Sequence, residues 1–277
     1  MSSIFFTAVG HVFRRPVQAL SILALPMALN ILVELYDTHR FVMSGYEGSG
    51  SAVWLVVVVN FMTVSLVAVA WHRLILLEEP QGIVPLISDD LYRRYFAQWF
   101  VMGLAIFFIL SLIIAAIAGI VWLASIALGQ PYLFEDAFMG DELFGVSFYI
   151  TVMVLTTIFT YFVFRFGVVL PHLAAGHSKV DIWKGWRITQ PLAWPIAGAA
   201  LFAGSAQIAL TWLPSDLLMR IMEEPDRYLP SSFDYLDAFL MSVSYSCVSL
   251  FGAAILTEIY IRIDMQSLDT DQDLSLK

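Results

Sequence analysis

From Gln98 to Leu128 the chain carries no charged residue, and five further stretches are also strongly apolar. The six runs lie near residues 16–36, 52–72, 97–128, 144–170, 191–213 and 236–263. Crossing the ~30 Å hydrocarbon core of a bilayer takes about 20 helical residues, so each run is long enough to span it. None alternates apolar and polar positions with period two, as lipid-facing barrel strands do, and each therefore predicts a transmembrane helix. At about 1.5 Å per residue the third run exceeds the bilayer core, so it must tilt or protrude on one side as a helix.

The polar positions between the runs repeat. The second, fourth and sixth spans close with VAWHR, FVFRF and IYIRI, each setting one arginine at the helix end: Arg73, Arg165 and Arg262. Each odd-numbered span is preceded by a short amphipathic stretch, reading IFFTAVGHVFRRP (4–16), SDDLYRRYFAQWF (88–100) and SKVDIWKGWRITQP (178–191). The first and third end on proline, which at a helix's first turn sacrifices no hydrogen bond. In the third, Ser178 and Asp181 suggest a capping pair, and Trp183 and Trp186 share a face. Such stretches predict helices lying in the headgroup plane, aromatics down and charges up. The expected fold is thus an all-α integral membrane protein. Its six transmembrane helices form three helical hairpins, each preceded by a short interfacial amphipathic helix. Residues 1–263 make a single domain, and the acidic tail DMQSLDTDQDLSLK (264–277) reads as disordered.

Charge gives this arrangement an orientation. Arg14, Arg15, Arg73, Arg93, Arg94, Arg165, Lys179, Lys184, Arg187, Arg262 and Lys277 fall on one side of the predicted topology, against Arg40, Arg220 and Arg227 on the other. The loops are short, so the excess of lysine and arginine predicts both termini in the cytoplasm. The outer loops are acidic, with Asp37, Glu47, Glu135, Asp136, Asp141, Glu142, Asp216, Glu223, Glu224, Asp226 and Asp234.

Composition agrees with a membrane solvent. Of 277 residues 60% are hydrophobic and 13% charged, about half the charged share of a soluble domain; the mean hydropathy is +0.80. No short apolar stretch closed by a small-residue cleavage site opens the chain, so no cleaved leader is expected. A net charge of −9 without a basic stripe excludes nucleic acid as a partner. Cys247 is the single cysteine, so an intramolecular disulfide is impossible.

Residues 71–79, WHRLILLEE, and 165–176, RFGVVLPHLAAG, followed by WKGWRITQPLAW, resemble a family of bacterial six-span inner-membrane proteins of unassigned activity. That family has a Trp-His-Arg-x-x-Leu-Leu turn after span two and an Arg-x-x-x-x-Leu-Pro turn after span four. The arrangement also loosely resembles the membrane domain attached to some glycerophosphodiester phosphodiesterases. Leu-Glu-Glu stands where Leu-Gly-Glu is usual, and His172 where a small residue is usual. The resemblance implies a six-span fold and a bacterial inner-membrane location; it supplies no activity, so Arg73 and Arg165 gain no catalytic role from it.

Chemistry is scarce in the sequence. No nucleophile elbow, zincin motif, Walker A loop or dinucleotide glycine pattern occurs. The five histidines (His11, His39, His72, His172, His177) lack ligand spacing on one helical face, although His172 and His177 share a loop. GYEGSGS (45–51) reads as a flexible turn and EDAFMGDE (135–142) as a solvated acidic loop rather than a calcium loop. No cofactor or metal is expected.

A lone intramembrane arginine is a functional candidate. Three arginines at equivalent helix ends read better as lipid-phosphate anchors with their stems in hydrocarbon, which lysine could replace. Glu258, four residues before Arg262, adds an expected helical ion pair. Within the spans the polar residues Asn30, Asn60, Gln207, Ser242, Ser246 and Ser249 read as packing contacts or as a polar path. Ala200 and Gly204 fit close helix contact, and Pro26 predicts a kink in span one. Three functions follow: a non-catalytic scaffold, assembly or lipid-organising component with membrane lipids and a membrane protein as partners; a small transporter or channel; or a lipid-headgroup enzyme using His72 beside the arginines.

Overall fold

The computed structural model describes residues 3–43, 50–85, 87–128, 144–177, 181–212 and 232–263, and its regular structure is helical throughout these residues. Helix α1 (Ile4–Arg14) starts where the Ser3 hydroxyl accepts the Phe6 amide, and stops one residue short of Pro16, which opens α2 (Pro16–Met43). Then come α3 (Gly50–Leu76), α4 (Asp89–Ala127), α5 (Phe144–Gly167), α6 (Val169–Ala174), α7 (Ile182–Ile188), α8 (Ala193–Gln207) and α9 (Ser232–Arg262). Six segments are long and apolar enough to cross a membrane: α2, α3, α4, α5, α8 with its flanking turns, and α9. This is the make-up of a multi-pass membrane protein. The segments 44–49, 129–143 and 213–231, which carry most of the acidic loop residues, and the tail at 264–277 lie outside the described residues.

One expected element differs. The stretch 88–100 is not a separate helix lying flat: α4 runs unbroken for 39 residues from Asp89, capped by the Ser88 hydroxyl on the Leu91 amide. The reason is local. Proline ends the first and third amphipathic stretches, at Pro16 and Pro191, whereas the second runs from Phe100 into Val101 with nothing to stop it. The third stretch does break, into α7 and a 3-10 turn at Gln190–Leu192. Its cap is Asp181, whose carboxylate accepts the Trp183 amide at 3.1 Å; Ser178 lies outside the described residues. α2 passes through Pro26 as one continuous helix.

α9 is the central post, packed along α2 and α3, with α8 and the crossing α1 on its other sides; α5 packs chiefly on α8. Gly204 makes that α5–α8 contact close, since a Cβ there would lie 3.0 Å from the Thr157 hydroxyl. The largest wholly buried side chains, Trp71, Tyr95, Phe164 and Phe166, cluster toward one end of the bundle. That end gathers α1, the C-termini of α3, α5 and α9, and the short helices α6 and α7. The far part of α4 is bare, with Phe107, Phe108, Leu112, Ile120 and Trp122 exposed. Lipid is the natural solvent for such a surface.

Candidate functional site

The arginine-bearing end of each even span is a joint between elements. Arg165 closes α5 and is 3% exposed. Its Nε donates to Thr189 Oγ1 at 2.6 Å, Nη1 to the Tyr161 hydroxyl at 2.8 Å, and Nη2 to the Trp186 carbonyl at 2.6 Å. The guanidinium lies 4.0 Å from the Trp186 ring centroid, in cation–π range. Trp183 and Trp186 both meet Phe166. α7 can come this near because residue 185 is glycine: a Cβ there would sit 3.0 Å from the Phe166 carbonyl oxygen. The lipid-anchor expectation for Arg165 therefore meets a different placement. Its charge faces protein acceptors and an indole plane, because α7 folds back over the end of α5.

Arg73 closes α3 and is similarly employed. It forms a two-pronged ion pair with Glu79, Nε to Oε2 at 2.8 Å and Nη2 to Oε1 at 2.7 Å. Its Nη1 donates to the Ala174 carbonyl at 2.9 Å. The two stretches that carry the family resemblance, 71–79 and 165–176, thus touch at this bond. α6, buried at all six positions, ends at Gly176 with φ +91°, a left-handed conformation suited to glycine. Arg262 is the most open of the three. It pairs with Glu258 at 2.6 Å, as the four-residue spacing implies, and reaches the Thr7 hydroxyl of α1 at 3.2 Å. His11 of α1 lies 3.5 Å from the same carboxylate, so α1 is pinned to α9 through Glu258.

His72 is fully buried between three helices. The Thr257 hydroxyl donates to the Ala253 carbonyl at 2.8 Å. Its oxygen therefore accepts the His72 Nδ1–H at 2.8 Å, which leaves Nε2 to accept the Tyr95 hydroxyl at 3.1 Å. Both ring nitrogens are committed, tying α3 to α4 and α9. His172 and His177 stack with ring centroids 4.4 Å apart, and His172 Nδ1 lies 3.2 Å from the Tyr260 hydroxyl. No group of three or more metal-ligating side chains occurs among the described residues.

The intramembrane polar residues divide into two sets. Asn30 of α2 accepts from Thr63 of α3 at 2.8 Å and donates to Ser246 of α9 at 3.4 Å. Ser246 donates on to the Ser242 carbonyl at 2.9 Å, and Ser242 to the Ala238 carbonyl at 2.8 Å. Asn60 donates to Glu34 at 3.4 Å. The bonds of Asn30, Thr63, Ser246, Asn60 and Glu34 seam α2, α3 and α9 together, whereas Ser242 bonds within α9. Gln207 and Ser249 belong elsewhere: they line a cavity of about 520 Å³ among α1, α3, α4, α5, α8 and α9. Ser249 also donates to the Tyr245 carbonyl at 2.7 Å. Beside the cavity the α8 span loosens into a π-helical turn at Ile208–Trp212, and the Ser244 hydroxyl donates to the Leu210 carbonyl at 2.7 Å.

Sequence reasoning missed Tyr95, Thr257, Thr189 and Glu34 as partners. Only Tyr161 carried a local signal, four residues before Arg165 on the same helix. No family model matches the chain, and neither a curated protein nor a solved structure matches it.

Proposed function

We propose that the chain is a non-catalytic, lipid-organising or scaffolding protein of the bacterial inner membrane. In this reading its six spans form three hairpins with both termini in the cytoplasm, and α1, α7 and the first turns of α4 sit at the inner headgroup level. The observation that carries the reading is the commitment of the polar groups. His72, Arg73 and Arg165 spend their donors and acceptors on protein partners, His72 on two other helices and the arginines on a neighbouring helix, a loop carboxylate and their own turn. Asn30, Asn60 and Ser246 spend theirs on a seam. Such groups hold a bundle together. They are not presented to a substrate. The exposed aromatics at the arginine end, Phe6, Phe13, Trp183 and Trp194, suit a headgroup belt.

The test is to isolate the tagged protein from native membranes in a mild detergent and identify what accompanies it by mass spectrometry. Retained phospholipid or a stoichiometric membrane-protein partner supports the reading. A chain that arrives with a water-soluble solute in stoichiometric amount sinks it. The second reading, a small transporter or channel, is favoured by one observation: Gln207 and Ser249, two members of the expected polar path, reach the same cavity. Asn30, Asn60, Ser242 and Ser246 are absent from its lining.

A further inference from the structure

We infer that the 520 Å³ cavity holds one acyl chain of a membrane phospholipid, with α1 as the wall beside the headgroup. The inference rests on the lipid-organising reading and names the ligand of that reading. Ligand cavities run from about 300 to 1,000 Å³, so this one is of working size. It is also too large to be ordinary packing slack, since protein interiors hold few voids bigger than a water molecule.

Its walls select hydrocarbon. Phe159, Val163 and Phe164 of α5, Ala203 of α8, Leu210 of the turn after it, and Val248 of α9 give a mostly apolar surface, with Gln207 and Ser249 as polar exceptions. Gly252 of α9 also lines it, and a Cβ built there meets nothing within 4 Å. The void therefore comes up to the backbone of the central helix.

Its length selects a single leaflet. Along α9 the lining runs from Tyr245 to Leu256, which at ~1.5 Å per residue is about 16 Å, close to half of the ~30 Å hydrocarbon core. The end far from α1 is marked by Gln207 and the exposed Tyr245, and the other end reaches α1 at Phe5 and Val9. α1 also carries a cation beyond the lining. Arg14, exposed on the last turn of α1, follows Val9 by about 7–8 Å of helix rise. An extended acyl chain fits the apolar shaft, and an exposed cation on the adjoining helix suits an anionic headgroup.

The experiment uses the full chain reconstituted in vesicles of phosphatidylethanolamine and phosphatidylglycerol, doped with a phospholipid bearing a diazirine at the tip of one acyl chain. After irradiation, adducts are mapped by peptide mass spectrometry. The expected map has a deep set of adducts at the far end of the shaft, on Gln207 and Val248, together with a lipid-facing set on the bare part of α4. Gly252→Phe, which fills the shaft, should reduce the deep set to background and leave the α4 set unchanged. Gly198→Leu, outside the lining and with nothing within 4 Å of its Cβ, should change neither.

Adducts confined to the α4 set, or a deep set indifferent to Gly252→Phe, overturn the inference while leaving the lipid-organising reading intact. Deep labelling by a diazirine free fatty acid but not by the phospholipid overturns it as well. Should Gly252→Phe fail to fold, Ala206→Phe fills the same shaft, and the wild-type map is decisive alone. A soluble solute found in the co-isolation experiment would sink the broader reading instead.

Discussion

Replacing Arg165 by lysine separates two accounts of the repeated arginines. A snorkelling anchor needs only a charge on a long stem, and lysine provides one. The structure gives Arg165 three acceptors in three directions: Thr189 Oγ1, the Tyr161 hydroxyl and the Trp186 carbonyl. A lysine ammonium is a compact point charge that reaches one of them well. Two hydrogen bonds from a charged donor are then lost, at about 1.5 kcal/mol each, so Arg165→Lys should destabilise the fold by about 3 kcal/mol. Loss of the flat guanidinium over the Trp186 ring adds about 1 kcal/mol at most, and the contributions overlap because one group makes them all. Unfolding of the purified protein by titration of a denaturing into a mild detergent reads the change directly. Arg262→Lys is the internal control. It keeps the Glu258 ion pair, and that end of the helix is partly open to solvent, so a loss of about 1 kcal/mol or less is expected. A loss at Arg165→Lys of less than about 0.5 kcal/mol, the level of ordinary surface changes, would refute the enclosed-arginine account.

Four further results are expected in the same assay. Tyr95→Phe removes the donor to His72 Nε2 and should cost about 1–2 kcal/mol, the penalty of leaving a buried acceptor unmet; no loss would mean that the His72 chain does not exist. Gly185→Ala forces a Cβ to within 3.0 Å of the Phe166 carbonyl oxygen and should cost about 1–3 kcal/mol by overpacking. Gly198→Ala, where a Cβ meets nothing, should instead stabilise by about 0.5–1 kcal/mol because mid-helix glycine is costly; equal effects at the two glycines would contradict the α5–α7 contact. Thr63→Val breaks the bond to Asn30 and should cost about 0.6–1.7 kcal/mol, the range of interhelical hydrogen bonds in membranes. A neutral Thr63→Val would remove the seam from the account.

The spans were readable from sequence because hydrocarbon is an uncompromising solvent, and stretches such as 98–128 have one stable home in it. Local pairs were readable for the same kind of reason: Glu258 and Arg262 meet across one helical turn. Periodicity could not tell a helix lying flat from the first turns of a long span, and so the stretch 88–100 was misassigned; the missing proline was the available signal. The position of Arg165 was plain, but its surroundings were not. Its bonds to Trp186 and Thr189 depend on where α7 docks, which the glycine at 185 permits without announcing. The cavity was the least legible feature. It is what side chains from six helices leave unfilled, and no single segment encodes it.

The central claim is that polar groups inside the bundle serve packing and that the cavity contains hydrocarbon, not water. Aqueous access tests this most directly. In a Cys247→Ser background, Gln207→Cys and Ser249→Cys, each reconstituted in vesicles, are challenged with a membrane-impermeant thiol reagent from either side. The account predicts that neither position reacts until the protein is denatured. Reaction at both from opposite sides would show a hydrated route through the bundle, and the transporter reading would take the place of the one proposed here.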